Sequence, residues 1–239
     1  MSFQAHSSHV RSMHYARLAI ITASAVSLFA PSLASAQASF TGVAALTSDY
    51  VWRGTTQSEG EPAAQAGFKV AGAAGWYGQV WGSTVDFGPQ TNASTELDFI
   101  AGWAGKLSND FSIDASVTHY RYPSTTVDLN WTELGGVVTW KDKAWLQVSW
   151  SNDALASGES GTYTLLGARF PINDTVRVEG ALGRYWLDDS YMHAQASAVW
   201  AFRAPFELRV TAHATDASAK RVFPGLAGSR LEVALQASF

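Results

Sequence analysis

The sequence predicts an all-β fold, a twelve-stranded antiparallel transmembrane β-barrel preceded by a cleaved signal peptide. Three observations predict it: an apolar N-terminal stretch ends in a small-residue cleavage pattern, apolar and polar residues alternate through the remaining chain, and short and longer connections alternate between those segments. The expected boundaries are 1–36 for the signal peptide and 37–239 for the barrel.

The composition excludes several classes of protein. Charged residues make up 15% of the 239 residues, below the ~25% of an average soluble protein, and 10 Trp accompany 20 Gly. This is too aromatic and too weakly charged for a disordered chain. Asp and Glu number 20 against 16 Lys and Arg, so the chain lacks the basic excess that a nucleic-acid partner requires. The absence of Cys excludes disulfide scaffolds, thiolate metal sites and cysteine nucleophiles.

The first 36 residues have the pattern of a secretory signal peptide. Arg11, His14 and Arg17 precede an apolar run over 18–30, and Ala34-Ser35-Ala36 supplies the cleavage pattern. An N-terminal membrane anchor is the alternative interpretation. The run is shorter than the ~20 residues that a membrane-spanning helix needs, which favours cleavage after Ala36.

Alternation with a period of two is the main signal of the mature chain. From Leu231 to Phe239 every second residue is apolar, and such strict alternation indicates a strand with one apolar and one polar face. One segment is ambiguous, because Trp76 and Tyr77 begin apolar sets of opposite parity. The twelve predicted strands are 39–53, 63–71, 75–87, 94–106, 110–122, 130–140, 143–152, 162–170, 175–186, 190–202, 205–216 and 228–239.

Connections and aromatic residues favour a membrane barrel over a soluble β-sandwich. Five short turns interleave with six mostly longer loops, and an even strand number places both termini at the periplasmic side. Phe40, Tyr50 and Trp52 share one face of the first predicted strand, so that Phe40 and Trp52 would mark the two edges of an apolar band. A sandwich also alternates, but it needs neither aromatics at both strand ends nor a C-terminal Phe. The expected periplasmic aromatic girdle is Trp140, Phe202, Phe206 and Phe239, and the expected outer one includes Trp150, Trp186 and Tyr191.

Several motifs of the N-terminal half match one family. They are Leu46-Thr47-Ser48-Asp49-Tyr50-Val51-Trp52-Arg53-Gly54 followed by Gln57, Pro62 and Gln65, then Gly75-Trp76-Tyr77-Gly78, Trp81-Gly82-Ser83, Val85-Asp86-Phe87, Glu96-Leu97-Asp98, Ala101-Gly102-Trp103, Tyr120-Arg121-Tyr122-Pro123 and Glu133. Together they resemble the TorF-type porin family, also called Gcw_chp, over about residues 46–133. The resemblance implies a porin of the bacterial cell outer membrane. Phe239 likewise resembles the C-terminal signal by which barrel-assembly machinery recognises its clients.

Strand parity predicts which polar side chains line the lumen. Carboxylates without bases concentrate on the fourth to sixth predicted strands, and the arginines lie on the ninth, eleventh, twelfth and first. Two interpretations stay open: walls of unlike charge that set up a transverse field across the pore, or local ion pairs, such as Arg209 with Glu232, that only fill the barrel. The candidate pore-lining residues are Asp49, Arg53, Glu96, Asp98, Asp114, Glu133, Arg177, Arg209, Arg230 and Glu232.

Three functions are compatible with this pattern. The first is a porin-like channel for passive or weakly selective diffusion of small polar solutes or ions, and the second is a closed structural or adhesive barrel that works through its acidic outer loops. The third, a lipid hydrolase at the rim, has no G-x-S-x-G motif behind it, so no catalytic residue and no enzyme activity are predicted. The Asp188-Asp189 pair offers too few oxygen ligands for a metal, and no cofactor is expected. The expected partners are outer-membrane lipid and lipopolysaccharide, the barrel-assembly machinery and the diffusing solutes.

Overall fold

The computed structural model describes residues 38–239, and the predicted signal peptide at 1–36 lies outside this range. Twelve strands form one closed antiparallel barrel, which confirms the predicted fold class. Two further strands, β2 and β3, form a small separate hairpin. The strands are β1 (Ser39–Thr47), β2 (Val51–Trp52), β3 (Thr55–Thr56), β4 (Ala63–Ala71), β5 (Trp76–Thr84), β6 (Thr95–Lys106), β7 (Phe111–Arg121), β8 (Trp131–Trp140), β9 (Ala144–Ser151), β10 (Gly161–Pro171), β11 (Val176–Trp186), β12 (Tyr191–Arg203), β13 (Phe206–Thr215) and β14 (Arg230–Ser238).

Pairing of the first and last strands closes the barrel. β1 pairs with β14 on one side and with β4 on the other, so every barrel strand has two hydrogen-bonded neighbours and the sheet has no free edge. Beyond β14, the N–H of Gly42 donates to the carbonyl of Phe239 at 2.6 Å, and the N–H of Phe239 donates to the carbonyl of Gly42 at 3.0 Å. The Phe239 ring covers Gly42, since a Cβ there would lie 2.4 Å from the ring. The C-terminal residue therefore forms part of the closing seam.

The outer surface of the barrel is apolar in the manner of a membrane protein. The alternation places Leu231 and Leu235 outward, and these side chains are 66% and 43% exposed. The ambiguous segment resolves in the same way: Trp76 faces outward, and Tyr77 faces the lumen and is buried. Because an exposed apolar belt of this extent is stable in lipid and not in water, the barrel lies in the bacterial outer membrane.

The aromatic residues expected at the edges of the apolar band agree with prediction except at Tyr191 and Trp52. Trp140, Phe202, Phe206 and Phe239 are exposed near the periplasmic ends of their strands, and Trp150 and Trp186 are exposed near the outer ends. The expectation for Tyr191 is wrong, because this residue is 1% exposed and faces the lumen. The Tyr191 hydroxyl lies inside the barrel and donates to the carbonyl of Arg53 at 3.1 Å.

The first predicted strand is too long at its outer end. β1 ends at Thr47, and the chain then turns back into the barrel, so Tyr50 and Trp52 are buried inside rather than facing lipid.

The last outer loop carries a short helix, α1 (Ala217–Val222), whose first turn is capped by the Asp216 side chain accepting from the Ala219 N–H. Among the described residues no helix has the length and apolar character to cross a membrane.

Candidate functional site

The lumen collects all the polar residues that strand parity points inward. Each of the ten predicted pore-lining residues is buried or half-buried. Asp49 and Arg53 reach the lumen from the first outer loop and not from a barrel strand, which corrects the predicted strand 39–53. The remaining eight lie on barrel strands.

A hairpin in the first outer loop folds into the outer part of the lumen. β2 and β3 pair through Val51 with Thr56 and Trp52 with Thr55, leaving Arg53 and Gly54 as a two-residue turn. Both turn residues have positive φ, 48° for Arg53 and 86° for Gly54, as a type I′ hairpin turn requires. Glycine is needed at the second position because a Cβ there would lie 2.7 Å from the side chains of neighbouring strands. We call residues 51–56 the first-loop hairpin.

The side chain at the tip of the hairpin is held by a buried carboxylate. Arg53 Nη2 donates to both carboxylate oxygens of Glu133 on β8 at 2.7 Å, and the two side chains are 1% and 7% exposed. Burial alone lowers the pKa of Arg53, but the Glu133 carboxylate more than offsets this effect, so the pKa is raised and the guanidinium is charged. The pair therefore ties the hairpin tip to the far wall by a charge-assisted bond.

Aromatic rings enclose the same guanidinium. Its Cζ lies 4.2 Å from the ring centre of Trp52, 4.0 Å from that of Tyr163 and 4.8 Å from that of Tyr185. Trp52 in turn makes edge contacts with Trp131 and Tyr120, which stack on each other at 4.2 Å. Cation–π attraction and ring packing thus add to the ion pair, and the hairpin tip is surrounded by inward-facing rings of β7, β8, β10 and β11.

The base of the hairpin is fixed by a second set of polar contacts. Asp49 accepts hydrogen bonds from the hydroxyls of Thr56 and Ser58, and Arg230 Nη1 approaches its other oxygen at 3.4 Å. The Thr56 N–H donates to the carbonyl of Leu226 in the last outer loop at 3.0 Å. Asp49 and Arg230, both predicted to line a pore, therefore anchor the loop that covers it.

Two buried carboxylates lie beside this loop, and within residues 38–239 neither forms an ion pair with a Lys or Arg side chain. Glu96 and Asp98, on β6, are 2% and 9% exposed, and the Tyr122 hydroxyl donates to Glu96 Oε1 at 3.3 Å. Tyr50 packs edge-on against Trp81 above them. Burial, followed by the negative charge of the two carboxylates, raises the pKa of Tyr50 well above its ordinary value, so its hydroxyl is neutral.

The periplasmic half of the lumen contains a charged network on β11 and β13. Arg177 donates through Nη1 and Nη2 to the two oxygens of Glu207 at 2.9 Å and through Nε to Glu179 at 2.7 Å. Arg209 Nη1 donates to the other oxygen of Glu179 at 2.8 Å. Glu232, named above as a partner for Arg209, accepts from Thr47 at 3.0 Å and lies 2.9 Å from His213 Nε2. These contacts agree with the local ion-pair interpretation.

The opposite wall of the periplasmic half carries another polar cluster. The Tyr77 hydroxyl donates to Asp114 Oδ1 at 2.6 Å, and Lys69 Nζ lies 3.5 Å from the centre of the Tyr77 ring. Lys69 and Arg169, both buried, were not among the predicted site residues. Their signal was present in the sequence: each stands between outward-facing neighbours, such as Phe68 before Lys69.

Acidic and basic side chains are separated along the barrel axis as well as around the barrel wall. The inward-facing charged groups of the outer half are mostly carboxylates, namely Asp49, Glu96, Asp98, Glu133 and Glu232 against Arg53 and Arg230. Those of the periplasmic half are mostly basic, namely Lys69, Arg169, Arg177 and Arg209 against Asp114, Glu179 and Glu207. The predicted opposed walls are therefore also displaced in height, and their effect on ion preference stays a prediction.

A closed barrel with an apolar belt outside and charged groups inside defines a β-barrel protein of the bacterial outer membrane. The chain belongs to the Gcw_chp family, described as bacterial proteins of unknown function, whose family model matches residues 32–239. No curated protein matches the sequence.

Solved porins share the fold at low sequence identity. A structure described as the KdgM porin in complex with disordered oligogalacturonate has a TM-score of 0.56 and 9% identity, with 84% of this chain and 99% of that chain covered. A structure of the NanC porin has a TM-score of 0.52 and 10% identity, again over 84% of this chain and 99% of that one. At these identities the likeness concerns the fold alone.

Proposed function

We propose that this protein is a porin-like channel of the TorF type, through which small polar solutes or ions diffuse passively or with weak selectivity. The observation that carries the proposal is the charged inward face, which extends from the Tyr77–Asp114 cluster on one wall to the Arg177–Glu179 network on the other. An apolar interior would fill a barrel without the desolvation penalty of buried ions. Charged walls instead suit a polar pathway.

The solved structures support the class of this proposal without naming a solute. KdgM and NanC are both described as porins, and neither is described as an enzyme, which favours a non-enzymatic role for this chain as well. The oligogalacturonate belongs to KdgM alone. The solute of the present barrel has to be inferred from its own residues.

The first-loop hairpin determines how such a channel would work. Its tip lies among rings from several strands, so the outer mouth is the narrow part of the pathway. In the periplasmic half, the Arg177 and Glu207 side chains are 17% and 16% exposed, so solvent reaches part of the charged network there. We therefore propose that conduction requires the hairpin to shift away from Glu133, and that the resting conductance is low.

A closed structural or adhesive barrel is the second candidate. The observation that favours it is the same hairpin, since the ion pair of Arg53 with Glu133 and the surrounding rings hold the hairpin tip inside the outer lumen. In that case the acidic outer loops would be the working surface. The rim hydrolase has no comparable observation in its favour.

The remaining expectations complete the proposal. We propose that residues 1–36 are the cleaved export signal and that the barrel-assembly machinery recognises the C-terminal strand ending in Phe239. Outer-membrane lipid and lipopolysaccharide would contact the apolar belt. Phe239 supports its own part of the proposal because it pairs with β1 at the closing seam.

Conductance in planar bilayers tests the channel and separates the two candidates. Residues 37–239 are refolded and inserted, and single-channel currents are recorded for the natural chain and for a variant in which 51–56 are replaced by Gly and Ser residues. The channel proposal expects rare openings from the natural chain and frequent openings from the variant. A matched control replaces Ser157–Glu159 in an exposed outer loop, and this change should leave the currents as they are.

The outcomes are distinct. If the variant without the hairpin migrates as a folded barrel on unheated gels and yet conducts nothing, the channel proposal fails and the closed barrel stands. If the variant conducts, the ratio of its cation to its anion permeability measures the effect of the wall charges on ion preference.

A further inference from the structure

One inward-facing arginine of the periplasmic half has surroundings unlike those of its neighbours. Arg169, on β10, is 8% exposed, and its Cζ lies 5.1 Å from the centre of the Trp145 ring on β9. Gly167 makes this arrangement possible, since a Cβ there would lie 2.1 Å from Trp145 Cζ2. The indole therefore lies flat against β10, and the guanidinium of Arg169 lies over the ring.

The polar atoms of this pair lack hydrogen-bond partners. Arg169 Nε and Nη2 are buried and make no hydrogen bond, and the same holds for Trp145 Nε1. A buried donor without a partner carries an unfavourable desolvation free energy, more so when it is charged. Three hydrogen-bond donors without partners, on two side chains in contact, indicate a site that would bind a hydrogen-bond acceptor.

The neighbouring arginines differ from Arg169 because carboxylates accept hydrogen bonds from their guanidinium groups. Arg177 donates to Glu207 and Glu179, and Arg209 donates to Glu179. Glu179 is also the cross-strand partner of Arg169 in the pairing of β10 with β11, but its two oxygens already accept from the other two arginines. The oxygens of Glu179 are therefore already in use, and Arg169 lies at the edge of this network with its Nε and Nη2 unpaired.

We propose that Arg169 and the indole N–H of Trp145 form a binding subsite for the carboxylate group of a small organic acid. The choice of carboxylate follows from the atoms involved. Nε and Nη2 are the two nitrogens on one edge of a guanidinium, and this edge matches the two oxygens of a carboxylate in a bidentate pair. This inference rests on the proposed channel function only for the route by which the acid arrives.

Charge balance favours a carboxylate over a phosphate. A carboxylate monoanion brings one negative charge to a place where the Glu179 and Asp142 carboxylates already act on Arg169, whereas a dianion would bring a second negative charge close to Glu179. The Coulomb repulsion between that added charge and Glu179 would weaken binding in the poorly screened lumen.

Binding requires a local movement of the side chain. Both free nitrogens of Arg169 are covered by protein atoms, so a carboxylate reaches them when the guanidinium turns off the face of the Trp145 ring while staying beside the indole N–H. The subsite lies on the periplasmic side of the first-loop hairpin, so access from the periplasmic mouth does not depend on the hairpin. The turn changes the environment of one indole, which makes Trp145 a reporter.

Tryptophan fluorescence of the refolded barrel in detergent tests the subsite without any need for conduction. Sodium acetate is titrated against the natural chain at constant ionic strength, with sodium chloride as the balancing salt. We expect a saturable change in fluorescence, a half-saturating concentration at least ten-fold higher in Arg169→Gln, and no acetate-dependent change in Trp145→Phe. Arg203→Gln, at an exposed strand end, is the matched control and should bind acetate like the natural chain.

Several results would overturn the subsite. An acetate response of equal strength in Arg169→Gln would do so, and so would inorganic phosphate saturating at lower concentration than acetate. If Arg169→Gln fails to give a folded band on unheated gels, Arg169→Lys replaces it, because lysine keeps the charge and loses the two-nitrogen edge. Undiminished binding in Arg169→Lys would equally contradict the proposal.

The channel and the subsite can fail separately. A barrel that binds acetate but never conducts keeps the subsite and refutes the channel. A barrel that conducts but shows no acetate response keeps the channel and refutes the subsite.

Discussion

Glu133→Gln is expected to release the first-loop hairpin from the lumen. The change removes the carboxylate that accepts both 2.7 Å hydrogen bonds from Arg53 Nη2, and both side chains are more than nine-tenths buried. Loss of one partner leaves an uncompensated buried charge, which costs about 3–5 kcal/mol. We take the lower value, about 3 kcal/mol, because the glutamine carbonyl and the aromatic rings remain.

That free energy converts directly into a population of displaced hairpin. At about 1.4 kcal/mol for each factor of ten, 3 kcal/mol corresponds to a roughly 100-fold larger displaced fraction. Two measurements report it: the open probability of single channels in planar bilayers, and the rate of trypsin cleavage after Arg53, which is protected while the residue is buried. Both should rise by about two orders of magnitude if 3 kcal/mol is the correct value.

The control and the double variant make the test specific. Asp110→Asn breaks an exposed ion pair with Lys141 at 3.4 Å and should change neither measurement, since such pairs contribute little. Adding Arg53→Met to Glu133→Gln removes the unpaired charge, so the two changes together should destabilise the barrel less than their sum. Unchanged open probability together with unchanged cleavage in Glu133→Gln would refute the idea that this ion pair holds the hairpin.

Three further predictions concern assembly, packing and ion preference. Deleting Phe239 should lower the folded fraction of the barrel several-fold on unheated gels, because it removes two backbone hydrogen bonds from the closing seam, and an unchanged folded band would argue against this role. Gly167→Ala should destabilise the barrel in urea by about 1–3 kcal/mol, since its Cβ would lie 2.1 Å from an indole carbon, whereas Gly135→Ala, whose nearest atom is 3.5 Å away, should be nearly neutral; equal midpoints would contradict the packing argument. Arg209→Ala combined with Arg230→Ala should shift the reversal potential in a KCl gradient toward cation preference, because two positive charges leave a narrow lumen, and an unaltered potential would mean that these residues only pack.

The barrel itself could be predicted from alternation, because each strand has lipid on one side and the lumen on the other. The segment 63–71 was predicted with the bounds that the structure has. The rule failed at 39–53, where alternation continues past Thr47 although the strand does not. Alternation shows which side chains are apolar, but it does not show whether they contact lipid or the interior of the barrel. Trp52 contacts aromatic rings inside the barrel and not lipid.

The candidate site could be predicted as a set of residues but not as a set of contacts. Parity is a property of one strand, so it assigned Arg209 and Glu133 to the inner face, where both are buried. Partners depend on the height of each residue along the barrel axis, which the stagger between strands determines and no single strand reveals. The contact of Arg53 with Glu133 depends in addition on a loop that re-enters the barrel, and no period in the sequence marks such a path.

The position of the hairpin near the start of the chain constrains the order in which the protein is built. The tip is bonded to Glu133, 80 residues later in the chain, and to Tyr191, 138 residues later. Contacts over such separations cannot form until those later strands are in place, so the hairpin docks after the wall around it exists. The hairpin therefore stays undocked until β8 and β12 have joined the wall. The segment that fills the outer lumen is thus among the first barrel segments in the chain and among the last to reach its place.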